Sequence, residues 1–169
     1  MRSTTRWFLS VAIGAVLAAP VLVSAADDDD GKHEHDELPA GPIRERHELM
    51  EAIGDSAEDI NTAFSMGDTG FDIAVIQREA GQIALNAHRI PSLFPKGSTD
   101  PKSRALPAIW ENWDKFEALA KQLETTAQSL SDAARATDDE DLKEKSKKVF
   151  ATCKSCHDQF RKPEDKKKK

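Results

Sequence analysis

The sequence predicts an all-α fold, an antiparallel four-helix bundle with up-down-up-down topology. Three observations lead to this prediction: four stretches repeat apolar residues at alternating steps of three and four, loop-forming residues separate them, and strand-like alternation is absent. Seams of this spacing let antiparallel helices pack at shallow angles. The length of 169 residues, with 38% hydrophobic and 32% charged residues, suits one such domain.

Residues 1–25 have the pattern of a secretory signal peptide. Arg2 and Arg6 precede an uncharged stretch that ends in the small residues Val23-Ser24-Ala25. An uncleaved membrane anchor is the alternative, because about 20 apolar residues can span a bilayer. In both cases the rest of the chain is exported, and we expect cleavage and a periplasmic location.

The segments that flank the predicted domain are strongly charged. Residues 26–41 form an acidic leader that we expect to be disordered, because it has almost no apolar content. His33 and His35 within it form either a weak metal site or part of a solvated tether. Residues 163–169 form a basic tail, which either docks an acidic partner or is disordered. The net charge of −6 argues against nucleic acid as a partner.

The predicted domain spans residues 42–162 and begins with two helices separated by Gly67-Asp68-Thr69-Gly70. The first helical seam lacks one apolar member, at Arg46, whereas the second is complete. The first consists of Ile43, Met50, Ile53, Ala57, Ile60 and Phe64, and the second of Ile73, Ile76, Ala80, Ile83, Ala87 and Ile90.

Two further helices follow a loop in which prolines and a glycine prevent helix formation. Thr137-Asp138-Asp139 is expected to cap the start of the last helix. The loop contains Pro91, Pro95, Gly97, Pro101 and Pro107. The third seam is Ile109, Trp113, Phe116, Ala120, Leu123, Ala127, Leu130 and Ala134, and the fourth is Leu142, Ser146, Val149, Cys153, Cys156 and Phe160.

The last helix carries the motif Cys153-Lys154-Ser155-Cys156-His157. C-x-x-C-H is the attachment signature of c-type haem. Positions i and i+3 share one helix face, so both thiols can bond to the vinyl groups of one porphyrin. His157 then follows as the proximal iron ligand. The sequence therefore predicts one haem c, covalently held through two thioethers.

Two other kinds of site use similar residues. A thioredoxin-like dithiol belongs at a helix start after a β-strand, and no strand is predicted before Cys153. A structural zinc ion needs four ligands, for which the folded part adds only His47 and His88.

Together with the bundle, these residues resemble the class II cytochromes c, the family that includes cytochrome c-prime. The resemblance covers residues 42–162. Its specific pieces are Cys-Lys-Ser-Cys-His-Asp-Gln-Phe-Arg at residues 153–161, Leu106-Pro107-Ala108-Ile109-Trp110, and Arg46-His47-Glu48-Leu49-Met50. Leu93-Phe94-Pro95 is similar to the low-spin branch, in which a methionine of the first helix fills the sixth coordination position. High-spin members leave that position empty or covered by an apolar side chain.

Met50 is the candidate sixth ligand. In the predicted topology the start of the first helix lies beside the end of the last, so Met50 and His157 meet, and the seam position of Met50 points its thioether inward. Met66 lies about 24 Å further along a helix, too far for the same iron. Two alternatives remain: Met50 fills the core without binding iron, or His47, one turn away, binds the iron.

Four other residues are weaker candidates. Arg161 lies four residues after His157, and the resemblance implies that a basic residue there approaches the haem; a solvated arginine is the alternative. Trp110, Trp113 and Phe116 either line the haem pocket or belong to the plain core.

The leading functional hypothesis is a single-electron carrier rather than an enzyme. His157 and Met50 on the two axial sides leave no vacancy for a substrate and suit the iron to passing single electrons. The expected partners are redox proteins, and the resemblance implies a homodimer through the first two helices. The alternatives are a high-spin protein that binds nitric oxide or carbon monoxide, and a protein in which the haem is structural.

Overall fold

A computed structural model describes residues 38–65, 71–136 and 139–163. The predicted signal peptide, most of the leader, the Gly67–Gly70 segment, residues 137 and 138 of the predicted cap, and residues 164–169 of the basic tail lie outside these ranges. Five α-helices are present in the described part, together with one short 3-10 helix, Pro91–Leu93. The α-helices are α1 Pro42–Ser65, α2 Ile73–Arg89, α3 Ala108–Glu111, α4 Trp113–Ala136 and α5 Asp139–Phe160.

The four long helices form the predicted four-helix bundle, and the predicted fold class is confirmed. Extensive contacts join α1 to α2, α2 to α4, and α4 to α5. Among the described residues, no contact of this extent joins α1 to α5. Within these same ranges, no helix is both long and apolar enough to cross a membrane.

The core of the bundle contains most of the predicted seam residues. In α2 and α4 the predicted seams are buried almost throughout, with Ile73 and Trp113 half-buried at the helix starts. In α5, Leu142, Ser146 and Val149 are buried. Alternating steps of three and four residues therefore located the buried face of three helices.

The seam of α1 differs from the prediction. Its buried residues are Arg46, Leu49, Ile53, Ser56, Ile60 and Ala63. Met50, expected on the seam, is half-buried beside it, and Leu49 takes the core position. The predicted and observed series share positions 46, 53 and 60, but between them the prediction chose Met50, Ala57 and Phe64, whereas the buried residues lie one position earlier. Both series alternate steps of three and four, so spacing alone does not distinguish them, and the prediction followed the apolar residues.

The predicted third helix is interrupted near its start. Asn112 leaves the helical conformation, with φ −129° and ψ 47°, and separates the single turn of α3 from α4. Its side-chain amide donates to the carbonyl of Ala108, 3.1 Å away. Asparagine competes with helical hydrogen bonding in this way, so the break is a local effect of one residue.

Candidate functional site

The C-x-x-C-H motif lies in the last two turns of α5. Cys153 and Cys156 are both half-buried and pack against the hydrophobic core, while His157 is on the exposed side. The two sulfurs are not bonded to each other. Residues three apart on a helix lie on one face, so the two thiols are presented together, as two bonds to one porphyrin require.

The surroundings of the two thiols keep them protonated in the haem-free chain. Burial raises the pKa of Cys153. Burial, followed by the charge of Cys153, raises the pKa of Cys156 to about 11. Because the thiolate is the reactive form of cysteine, the folded environment disfavours free, reactive thiols at neutral pH.

A chain of ring contacts connects the start of α1 with the end of α5. The Arg46 guanidinium lies over the ring of Phe94, 4.9 Å from its centroid. The ring of Phe116 in α4 lies 4.8 Å from Phe94 and 5.5 Å from Phe160 at the end of α5. The first turns of α1 and the last turn of α5 are therefore at the same end of the bundle.

Met50 and His157 both lie at this end. Met50 is one helical turn after Arg46, and His157 is one turn before Phe160. Met50 is half-buried and packs against the core, like the two cysteines. Its thioether is a soft ligand that suits haem iron.

These residues fit a c-type haem. Three half-buried side chains with sulfur atoms, Met50, Cys153 and Cys156, lie on two helices that share no extensive contact. A flat, largely apolar cofactor between α1 and α5 would cover the exposed parts of these three side chains. Removing their apolar surface from water is favourable.

Comparison with known proteins agrees with this chemistry. A family model described as Cytochrome C' matches residues 41–161, which is most of the chain. The chain belongs to the cytochrome c' family. Proteins of this family bind c-type haem, and the predicted resemblance to the family is confirmed.

Similar proteins include members with two different names. Cytochrome c-556 from Agrobacterium fabrum is 37% identical over 122 residues, which are 72% of this chain and 82% of the relative. The solved cytochrome c' from Rhodopseudomonas palustris is 33% identical, with a TM-score of 0.67 over 75% of this chain and all of its own. A second solved cytochrome c', described as having ligand-controlled dimer dissociation, is 25% identical, with a TM-score of 0.64 over 79% of this chain and 99% of its own.

Two observations concern the residues of the alternative sites in this cytochrome c' family member. The motif lies near the end of α5, not at the helix start that a thioredoxin-like dithiol occupies. His47 lies 3.3 Å from Glu51 on its own helix, and His88 lies 3.4 Å from Glu124. Over the described ranges, no group of three or more His, Cys, Asp or Glu side chains is arranged to hold a metal ion.

The aromatic candidates belong mainly to the core and its loop. Phe116 is only 2% exposed and contacts other rings. The indole nitrogen of Trp110 donates to the carbonyls of Phe94 and Pro95, at 3.0 and 3.1 Å, and so anchors the loop before α3. Trp113 is half-buried against Phe116, with ring centroids 5.7 Å apart.

The structure gives two arginines different roles. Arg161 contributes through its backbone, whereas Arg46 is the buried residue that the sequence prediction missed. Arg161 forms an isolated antiparallel β-bridge with Ala105. Arg46 is only 4% exposed. The available signal was a charged residue at a seam position where an apolar one is expected. Buried arginines are normally held by specific polar partners, so this position indicated such partners for Arg46.

Proposed function

We propose that this protein is a single-electron carrier with one covalent, low-spin haem c. Cys153 and Cys156 hold the porphyrin, His157 is the proximal ligand and Met50 the sixth ligand. The observation that supports this proposal best is the position of half-buried Met50 at the same end of the bundle as the C-x-x-C-H motif.

Each of these side chains has a distinct task. Bound haem supplies an iron that accepts and releases one electron. The two thiols would fix the porphyrin to α5, and the imidazole of His157 on α5 and the thioether of Met50 on α1 would be the two side chains that hold its iron. Because no ligand position would then remain for a substrate, we propose a carrier and not an enzyme.

A haem protein that binds small gases is the second candidate, and the comparisons favour it more than the first. The matching family model and the R. palustris structure are both described as cytochrome c'. One related structure is described as having dimer dissociation under ligand control. In this candidate, Met50 is a core residue beside an open sixth position and leaves the iron to exogenous ligands.

A visible spectrum of the holoprotein distinguishes the two candidates. If the protein is the proposed carrier, its spectrum is low-spin. The spectrum of Met50→Leu should be high-spin, and this variant should bind carbon monoxide rapidly. Met66→Leu is the matched control, since it removes the other methionine after residue 25, and it should leave the spectrum unchanged. A high-spin spectrum in the unmutated protein would instead establish the gas-binding candidate. A low-spin protein that exchanges electrons very slowly with soluble donors would favour a structural haem.

Covalent attachment has its own test. Acid–acetone extraction should leave the haem on the protein, and Cys153→Ser should weaken attachment to a single thioether. His157→Ala should remove the proximal ligand and impair maturation. Release of all haem from the unmutated protein would contradict attachment through Cys153 and Cys156.

We further propose export to the periplasm and a homodimer through α1 and α2. The signal-like residues 1–25 support export. The related dimer-forming structure supports self-association. Cell fractionation and analytical ultracentrifugation of the holoprotein test the two proposals, and a cytoplasmic monomer would contradict both. We also propose that the redox partners of this protein are other proteins.

A further inference from the structure

The loop at residues 94–106, here called the clasp loop, is bonded to both helices that carry the proposed axial ligands. It lies between the 3-10 helix and α3. Ser103 lies within it and is buried. The side chain of Ser103 contacts α1, and its backbone carbonyl contacts the residue that follows α5 by two positions.

On the α1 side, the clasp loop is held by Arg46. The guanidinium donates to the hydroxyl oxygens of Ser98 at 2.9 Å and Ser103 at 2.8 Å. The same group lies over the ring of Phe94. Burial lowers the pKa of Arg46, an effect opposed by the charge of Asp100. Arginine remains charged at neutral pH, so these contacts involve a buried cation.

On the α5 side, the clasp loop is held by short backbone and side-chain bonds. The Lys162 ammonium donates to the carbonyl of Ser103 at 2.8 Å, and the Lys162 backbone N–H donates to the carbonyl of Arg104 at 2.8 Å. The Arg104 guanidinium donates back to the Lys162 carbonyl at 2.9 Å. The Leu106 N–H donates to the carbonyl of Phe160 at 2.9 Å.

These contacts lie close to the proposed ligands along each helix. Arg46 is one turn before Met50, while Phe160 and Lys162 follow His157 by three and five residues. Because α1 and α5 share no extensive contact of their own in the described part of the chain, the clasp loop is a direct polar connection between the two helix ends.

We propose that Arg46 and Ser103 are positioning residues that hold α1 at the separation from α5 at which Met50 stays on the iron. This inference rests on the proposed His157 and Met50 ligation. Loosening the clasp loop on its α1 side lets α1 move away, so Met50 dissociates more often and the sixth position opens. Arg46 suits this role because its planar fork reaches Ser98 and Ser103 at once, which a lysine ammonium does not reproduce.

The test compares Ser103→Ala, Arg46→Lys and a matched control in the holoprotein. Ser103→Ala removes one acceptor of Arg46 and keeps the carbonyl that Lys162 binds. Ser131→Ala is the control, because Ser131 is also buried and its hydroxyl donates to the carbonyl of Gln77 at 2.9 Å, toward the opposite end of α4. The measurements are the spin state from the visible spectrum, the carbon monoxide association rate of the reduced protein, and the thermal unfolding midpoint.

In Ser103→Ala we expect a larger high-spin fraction and carbon monoxide association about tenfold faster, which corresponds to about 1.4 kcal/mol. Arg46→Lys should change both in the same direction. Ser131→Ala should lower the unfolding midpoint without changing the spectrum or the association rate. Arg46→Lys can also impair folding, in which case Ser103→Ala decides the outcome.

Two results would overturn the proposal, and they differ from each other. If the unmutated protein is low-spin and Ser103→Ala keeps its spectrum and association rate, the positioning role is wrong while Met50 ligation stands. If the unmutated protein is high-spin, the proposed ligation fails and the positioning of Met50 fails with it.

Discussion

Phe116 connects three elements at the proposed haem end of the bundle, so its truncation should affect both stability and the site. Its side chain is 2% exposed, and its ring contacts those of Phe94, Trp113 and Phe160. Replacing a buried Phe by Ala costs about 3–5 kcal/mol, from lost apolar burial and the cavity left behind. Since three aromatic neighbours lose a partner, we expect Phe116→Ala at the upper end of that range.

A matched substitution separates the effect on stability from the effect on the site. Leu130 is fully buried in the same helix, about 21 Å further along its axis. Leu130→Ala should cost about 2–5 kcal/mol. In guanidinium titrations of the holoproteins followed by circular dichroism, both midpoints should fall strongly. Only Phe116→Ala should also change the visible spectrum.

Two results would refute this reasoning about Phe116. The first is a loss of less than about 1 kcal/mol in Phe116→Ala, which would show that the ring contacts contribute little. The second is an equal change in the visible spectrum in Leu130→Ala, which would show that any loss of core packing disturbs the site.

Three further predictions concern caps, turns and pH. Asp72→Ala should destabilise the fold by about 1 kcal/mol in denaturant titrations, because the Asp72 carboxylate accepts from the Val75 N–H at 3.1 Å and caps α2; an unchanged midpoint would contradict this. Gly97→Ala should cost about 1 kcal/mol, since Gly97 has φ +81°, and Lys96→Ala is its control. In the haem-free chain, burial raises the pKa of Cys153 and raises that of Cys156 to about 11. The folded state then holds these protons more tightly, so its extra stability is complete below the ordinary thiol pKa of about 8.5 and is lost as the pH rises towards 11. The double variant Cys153→Ser and Cys156→Ser, titrated over the same pH range, should lack this loss.

The bundle could be predicted from the sequence because its buried positions follow the helical period. The interruption at Asn112 could not, since it depends on one side chain bonding to the carbonyl of Ala108. The burial of Arg46 was indicated only by its position in the seam. It depends on Ser98 and Ser103, which are more than fifty residues away in sequence. Periodicity reports which face of a helix is buried, whereas these contacts depend on where the loop folds back.

The displacement of Met50 from the seam of α1 supports the proposal that this helix serves both the core and a cofactor. Consecutive helix positions differ by about 100° around the axis. Leu49 therefore points into the core and Met50 to one side of it, as the burial of the first and partial exposure of the second require. On α5, Phe160 is buried while Cys156 is half-buried. In the proposed arrangement, the position of Met50 beside the seam would leave its thioether open to a cofactor between α1 and α5, while Leu49 packs in the core.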